Sequence, residues 1–241
     1  MIELRDVSFS YADAPALAHI DLSIGRGQAV ALVGPNGSGK STLLKLLNGI
    51  VFPEDGSYRF DGEEITQARL KDQRLAKRFH QRVGFLFQNS DAQLFCTSVY
   101  DEVAFGPRQM GLDEPEIERR VGDCLDLLGI AALARRVPYH LSGGEKRKVA
   151  LASVLALNPD VLALDEPMNG LDPRTKHFLR DFLIAMRSAG KTIVCATHDF
   201  EYVEGIFDRA AAFSVSHGIA RTGSYAEVVG DRDFLKAGNI I

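Results

Sequence analysis

The stretch "GPNGSGKST", Gly34 to Thr42, places three glycines, a lysine and adjacent hydroxyls in one short run. That combination suits a polyphosphate. Gly34, Gly37 and Gly39 let the backbone curl without Cβ clashes, so that N–H groups point at an anion. Lys40 brings a compact positive charge to the terminal phosphates. Ser41 offers its hydroxyl to Mg²⁺, and Thr42 adds a phosphate contact. Pro35, Asn36 and Ser38 fill the other positions of the pattern G-x-x-x-x-G-K-[ST]. The plain alternative is a Gly-rich turn that binds nothing. The flanks argue against it: the apolar run "AVALVG" leads into the loop and leucines at helical spacing follow.

A cradle of this kind needs acids nearby. "VLALDEP" supplies two where an apolar strand ends: Asp165 to support the Mg²⁺ shell, and Glu166 to polarise an attacking water as general base. Without Lys40 the same pair reads as a solvated strand end. Gln88 ends "VGFLFQ", where its amide can reach Mg²⁺ or the water, or simply mark a polar strand end. His198 ends "KTIVCATH". It can contact the γ-phosphate if its strand neighbours that of Asp165, and is otherwise structural or exposed. Tyr11 ends the first strand, and its ring can stack on adenine or merely pack.

Much later, "HLSGGEKRKVALASVLA" runs from His140 to Ala156. Ser142, Gly143 and Gly144 open a helix there. Free N–H groups and the positive end of the dipole make that start a second anion site. One nucleotide on one chain does not need both.

The elements that must position these residues follow from periodicity. Ile2 to Tyr11, "HIDLSI" and "AVALVG" read as strands, the last buried and parallel. "KSTLLKLLNGI" reads as a helix closed by Gly49, and "GSYRFDGEEI" as a hairpin partner. "RLKDQRLAKRFHQR" is a basic helical stretch and "VGFLFQ" a second buried strand. From about Asn89 to Asn158 helices dominate. Asp113 and Pro115 open one whose apolar face is Ile117, Val121, Leu125 and Leu128. "DVLALDEP" is then a strand, "PRTKHFLRDFLIAMRSAG" a helix and "KTIVCATH" a strand. A hairpin around His217–Gly218 and short helices come last. The predicted organisation is one α/β domain over 1–241. Its core spans about 1–88 and 159–241, with an N-terminal antiparallel β subdomain and an inserted helical subdomain at about 89–158.

At 241 residues and 46% hydrophobic, the chain can bury one substantial core. A net charge of -4 offers no positive field to nucleic acid, so none is expected as a partner. Cys96, Cys124 and Cys195 form no C-x-x-C pair, which fits a reducing compartment without zinc. The N-terminus alternates and carries charges, unlike a secretion signal. No apolar run nears the ~20 residues of a membrane span, so membrane association would need a partner. Lys71, Arg74, Lys77, Arg78 and Arg82 face anionic lipid or a partner, or form a solvated helix face.

The phosphate loop, Gln88, "LSGGE", "LALDEP", "GLD" at Gly170–Asp172 and His198 occur in an order that resembles the ATP-binding-cassette ATPases. The resemblance covers essentially the whole chain. It implies a P-loop NTPase (RecA-like) core, with ATP and Mg²⁺ as ligands. It also implies a head-to-tail homodimer. Ser142, Gly143 and Gly144 of one subunit would cap the γ-phosphate held by the other, and Asp172 would cross the interface. ATP then closes the dimer and hydrolysis lets it open.

"FQNSDAQLFCTSVYDEVAFGPRQMGL" and "LSGGEKRKVALASVLALNPDVLALDEP" are similar to the ATPase subunits of energy-coupling-factor importers, nearest to the cobalt and nickel branch. That implies a motor subunit for cobalt or nickel import, peripheral on the cytoplasmic face of the cell (inner) membrane. Its partners would be a transmembrane scaffold protein and a substrate-binding membrane protein. Asp91, Gln93, Leu94 and Phe95 would help form the groove that receives coupling helices, the plainer reading being internal packing. Met168 and Asn169 stand where many members have threonine after "DEP". A C-terminal part shorter than in many members favours a homodimer over a paired heterodimer. A vitamin (biotin-type) importer and a soluble cassette ATPase, such as one for iron–sulfur assembly, are the alternatives. The lack of a long heptad insertion and of a second cassette argues against chromosome-maintenance and translation types.

Overall fold

Strands that are apolar along their length need cover on both faces, and this requirement organises the fold. A computed structural model describes residues 1–241. It begins β1 (Ile2–Tyr11), β2 (Ala14–Ile24), β3 (Ala29–Val33), α1 (Lys40–Leu47), β4 (Asp55–Phe60) and β5 (Glu63–Glu64). Next come α2 (Gln67–Leu70), α3 (Gln73–Arg82), β6 (Val83–Leu86), α4 (Val99–Met110), α5 (Glu114–Leu127) and α6 (Gly143–Leu155). It ends β7 (Val161–Asp165), α7 (Pro173–Ser188), β8 (Thr192–Ala196), β9 (Arg209–Phe213), β10 (Ile219–Ser224), α8 (Tyr225–Gly230) and α9 (Arg232–Ala237).

Two sheets result: an antiparallel one ordered β2-β1-β4-β5, and a larger one ordered β10-β9-β3-β8-β7-β6. In the larger sheet only the β10 edge is antiparallel. β3, β7 and β8 are buried at every position. Alternate residues of β3 serve different cores. Val30 and Leu32 join the cluster around α1 and the antiparallel sheet, while Ala29, Ala31 and Val33 join the helical side. α1 is thus sandwiched between the sheets. Its Leu43, Leu44, Leu46 and Leu47 are fully buried, each contributing about 1.5–3 kcal/mol relative to exposure.

Between β6 and β7 the chain forms helices and no strand. Val103 of α4, Ile117 and Val121 of α5, and Val149 and Leu151 of α6 run into the outer-face cluster of the parallel sheet. The helices therefore share the core of the sheet and close none of their own. Asp113 caps α5 by accepting the Glu116 N–H, with a proline in the first turn. Ser142 and Glu145 form a reciprocal capping box that starts α6.

Three boundaries differ from the sequence expectation. The basic stretch is two helices, because the Asp72 carboxylate caps α3 through the N–H groups of Arg74 and Leu75. Its charges are partly matched internally: Arg78 pairs with Glu63, and Arg82 with Asp61 and Asp160. Gln88 and His198 do not end their strands but lie in the loops beyond. Side chains capture the ladder groups there. The Phe87 N–H goes to Gln93, and the His198 N–H to Glu166. No helix is long and apolar enough to cross a membrane.

Candidate active site

Parallel strands gather their following loops at one sheet edge, where ligands of open α/β sheets bind. In the order β3-β8-β7-β6, four neighbouring strands deliver the phosphate loop, His198, the Asp165–Glu166 pair and Gln88. A cleft of about 520 Å³ opens there. It is lined by Asn36, Gly37, Ser38, Gly39, Lys40, Ser41, Thr42, Gln88, Glu166, Asn169 and His198, none of them hydrophobic.

The loop offers an anion several donors. Gly39 stands before α1 at φ +105, and a Cβ there would lie 2.2 Å from the Ala16 carbonyl oxygen of β2. Only glycine fits that approach. α1 starts without a side-chain cap, which leaves its first N–H groups for a ligand. Lys40 Nζ donates to the carbonyls of Gly34 at 2.7 Å and Pro35 at 2.8 Å, which leaves a third hydrogen for phosphate. Burial pulls the Lys40 pKa below the usual lysine value, against the pull of Glu166 and Asp165. The Ser38 hydroxyl is buried without a partner, and a phosphate oxygen would satisfy it.

The acids face this cradle. Ser41 Oγ donates to Asp165 Oδ1 at 2.9 Å. Burial raises the Asp165 pKa, and the Ser41 hydrogen bond opposes the rise. Ser41, Asp165 and the Gln88 amide are oxygen donors. A small set of this kind fits Mg²⁺, which completes its shell with phosphate oxygens and water. Glu166 turns sharply off β7 at φ +46, a left-handed conformation that costs about 1–3 kcal/mol for a non-glycine residue. The parallel register sets Asp165 opposite Ala196, so β8 is the direct neighbour of β7. Glu166 Oε2 consequently meets His198 Nδ1 at 2.8 Å.

The second anion-type start lies in a separate cleft of about 340 Å³. Ser142, Gly144, Glu145, Lys148, Asp172 and Thr175 line it with residues around Ile130, and it shares no lining residue with the first. Gly143 is exposed beside it. Glu145 Oε2 accepts the Ser142 N–H and hydroxyl, both at 2.8 Å. Asp172 caps α7 by accepting the Thr175 N–H at 3.0 Å. The loop between Glu166 and Asp172 touches both clefts: Asn169 lines the first, Asp172 the second, and buried Met168 anchors it.

A family model described as ABC transporter matches residues 17–169. The chain belongs to the ABC transporter family. It is an ATP-binding ATPase of that family. The nickel import ATP-binding protein LarO of Lactiplantibacillus plantarum is 48% identical over 219 residues, covering 91% of each chain. The energy-coupling factor transporter ATP-binding protein EcfA of Methanothermobacter thermautotrophicus is 41% identical over 241 residues, covering 100% of this chain and 76% of that one. The structure of cbiO1 from Clostridium perfringens, described as part of the ABC transporter complex cbiONQ, superposes with a TM-score of 0.83. It is 35% identical and covers 99% of this chain and 94% of that one.

The remaining expected residues of the cassette divide. Tyr11 is exposed at the β1–β2 turn and does not line the first cleft. Its ring meets Phe9 edge-on, and Lys45 Nζ lies 5.9 Å from the ring centre. Of the four docking candidates, Gln93 and Phe95 line a groove of about 260 Å³ with Ile50, Phe85, Phe87 and Phe105 among others. Asp91 and Leu94 do not line it. Asp91 pairs with Lys146 at 2.6 Å, and Leu94 packs on the helical-side core. Gln93 is also a strut, accepting the Phe87 N–H and donating to the Ala150 carbonyl. Sequence reasoning missed Asn169, Phe105 and Arg147. Asn169 was signalled by its place beside "DEP". Phe105 lies in the stretch that resembles the importer ATPases, where nothing singles it out, and Arg147 lies in the charged run "EKRK" that follows Ser142–Gly144.

Proposed function

We propose that this cassette is the ATP-hydrolysing motor of a membrane importer for nickel or cobalt ions, acting as a head-to-tail homodimer. The observation that carries the reading is that the phosphate loop and the Ser142 helix start line two clefts with no residue in common. The first holds the cradle and the acids. The second holds an anion-type helix start but no lysine loop. Each is completed by its counterpart on a second copy. ATP in the cradle of one copy meets Ser142, Gly143 and Gly144 of the other, with Asp172 beside them.

Ser41, Asp165 and Gln88 would hold Mg²⁺, which would supply neutralising charge beside the terminal phosphates. Glu166 takes the proton of the attacking water and His198 holds Glu166 in place. Because ATP binds the closed dimer better than the open one, it shifts the pair closed, and hydrolysis releases it. The groove at Phe95 and Phe105 receives a coupling helix of a transmembrane scaffold protein, which keeps the cassette peripheral at the cytoplasmic face. A substrate-binding membrane protein selects the cargo. The L. plantarum relative, a nickel import ATP-binding protein, supports nickel.

The test is affinity purification of the chain from gently solubilised native membranes, with mass spectrometry and metal analysis of the same sample. Small polytopic membrane partners with bound nickel or cobalt are expected. Such partners without metal would favour a vitamin importer. Recovery from the cytosol alone, with soluble partners, would overturn the transport reading.

A further inference from the structure

Arg147 lies on α6 just over one turn after Ser142, yet it is only 4% exposed. Its Nη1 donates to the Phe87 carbonyl and its Nη2 to the Gln88 carbonyl, both at 2.6 Å. Its Nε is buried without a partner. Burying a cation is costly unless its hydrogen bonds compensate, and the compensation here is two short charge-assisted bonds to one loop. The same loop is tied to α6 a second time. Gln93 accepts the Phe87 N–H at 3.1 Å and donates to the Ala150 carbonyl at 3.2 Å, one turn along from Arg147. β6 ends at Leu86. Phe87 and Gln88 are therefore fastened to α6.

We propose that Arg147 is a positioning residue that makes Gln88 move with α6, so that the contact at Ser142 with the partner's nucleotide sets where Gln88 stands over the chain's own. This rests on Gln88 belonging to the ATP site and on Ser142 acting in trans. The planar guanidinium suits the task, because its fork spans two adjacent carbonyls where a lysine ammonium is a single point charge.

The test is a double-mutant cycle on the full chain: steady-state ATPase of the wild type, Arg147→Met, Gln88→Ala and the double variant, with ATP affinity of each monomer. Arg147→Met is expected to lower kcat roughly tenfold, leave monomer affinity within about twofold, and cause less than about a twofold further loss in Gln88→Ala. Independent, multiplying losses would overturn the role of Arg147 through Gln88, as would an unchanged kcat in Arg147→Met. A normal kcat in Gln88→Ala alone would instead sink the assignment of Gln88, and this inference with it. Arg147→Lys keeps the charge and one bond, and serves in the same cycle if Arg147→Met does not fold. An intermediate kcat at an unchanged melting temperature is expected of it. Activity that merely tracks melting temperature across the variants would reduce Arg147 to a structural part.

Discussion

His198 Nδ1 lies 2.8 Å from Glu166 Oε2, and the main-chain N–H of His198 donates to the same oxygen at 3.3 Å. One carboxylate oxygen is thus held from the neighbouring strand end. Glu166 itself stands in the polar cleft beside the phosphate loop. A general base needs this kind of orientation before its basicity is useful.

Glu166→Gln therefore retains ATP binding and dimerisation but hydrolyses on the order of 10²–10⁴ times more slowly. Phosphate release measured beside nucleotide binding checks this. Near-normal turnover would move the base elsewhere.

Lys40→Ala removes a buried ammonium whose third hydrogen points to no protein acceptor. A charged hydrogen bond contributes about 1.5–3 kcal/mol, so ATP affinity falls roughly tenfold to hundredfold. Calorimetric titration of the full chain reads the change, and unaltered affinity contradicts the cradle.

Ser142→Arg places a long cation at the contact in trans proposed for the second cleft. The monomer binds ATP as before, but ATP no longer drives dimerisation. Sedimentation with and without nucleotide distinguishes the two states, and dimers forming as in the wild type refute the contact in trans.

Phe95 is 67% exposed and leans only on Phe105 among aromatic rings. Phe95→Ala leaves the ATPase rate of the isolated chain within about twofold, as exposed substitutions do, and lowers recovery with native membranes. Full recovery would place the docking surface elsewhere.

All three thiols resist alkylation. Burial, then the Glu102 carboxylate, raises the Cys96 pKa to about 11. Burial does the same for Cys124, also to about 11, and raises Cys195 well above the ordinary thiol value. The thiolate is the reactive form, so a raised pKa slows reaction at pH 8, and the rate climbs as pH approaches 11. Iodoacetamide labelling of the native chain at pH 8 runs roughly a hundredfold slower than for a free cysteine. Mass spectrometry against the unfolded chain reads the ratio.

The contiguous parts of the site were legible in the sequence. Gly34 to Thr42 spell out a phosphate loop because each residue type answers a local demand: tight backbone, charge, hydroxyl. The capping residues Asp113 and Ser142 were readable for the same reason, since a cap acts within one turn. Strand order was not readable, because register between β7 and β8 is a pairing of distant segments. The meeting of Glu166 with His198 depends on that pairing alone. Nor could sequence divide the docking candidates. Asp91 and Leu94 differ from Phe95 in which neighbours surround them, not in their spacing. Arg147 sits in a run of charged residues, and only the packing of α6 turns it inward onto Phe87 and Gln88. Residue types and their spacing say which chemical groups the chain can offer to a nucleotide. The tertiary structure decided which of them converge, because convergence depends on long-range burial that no local pattern encodes.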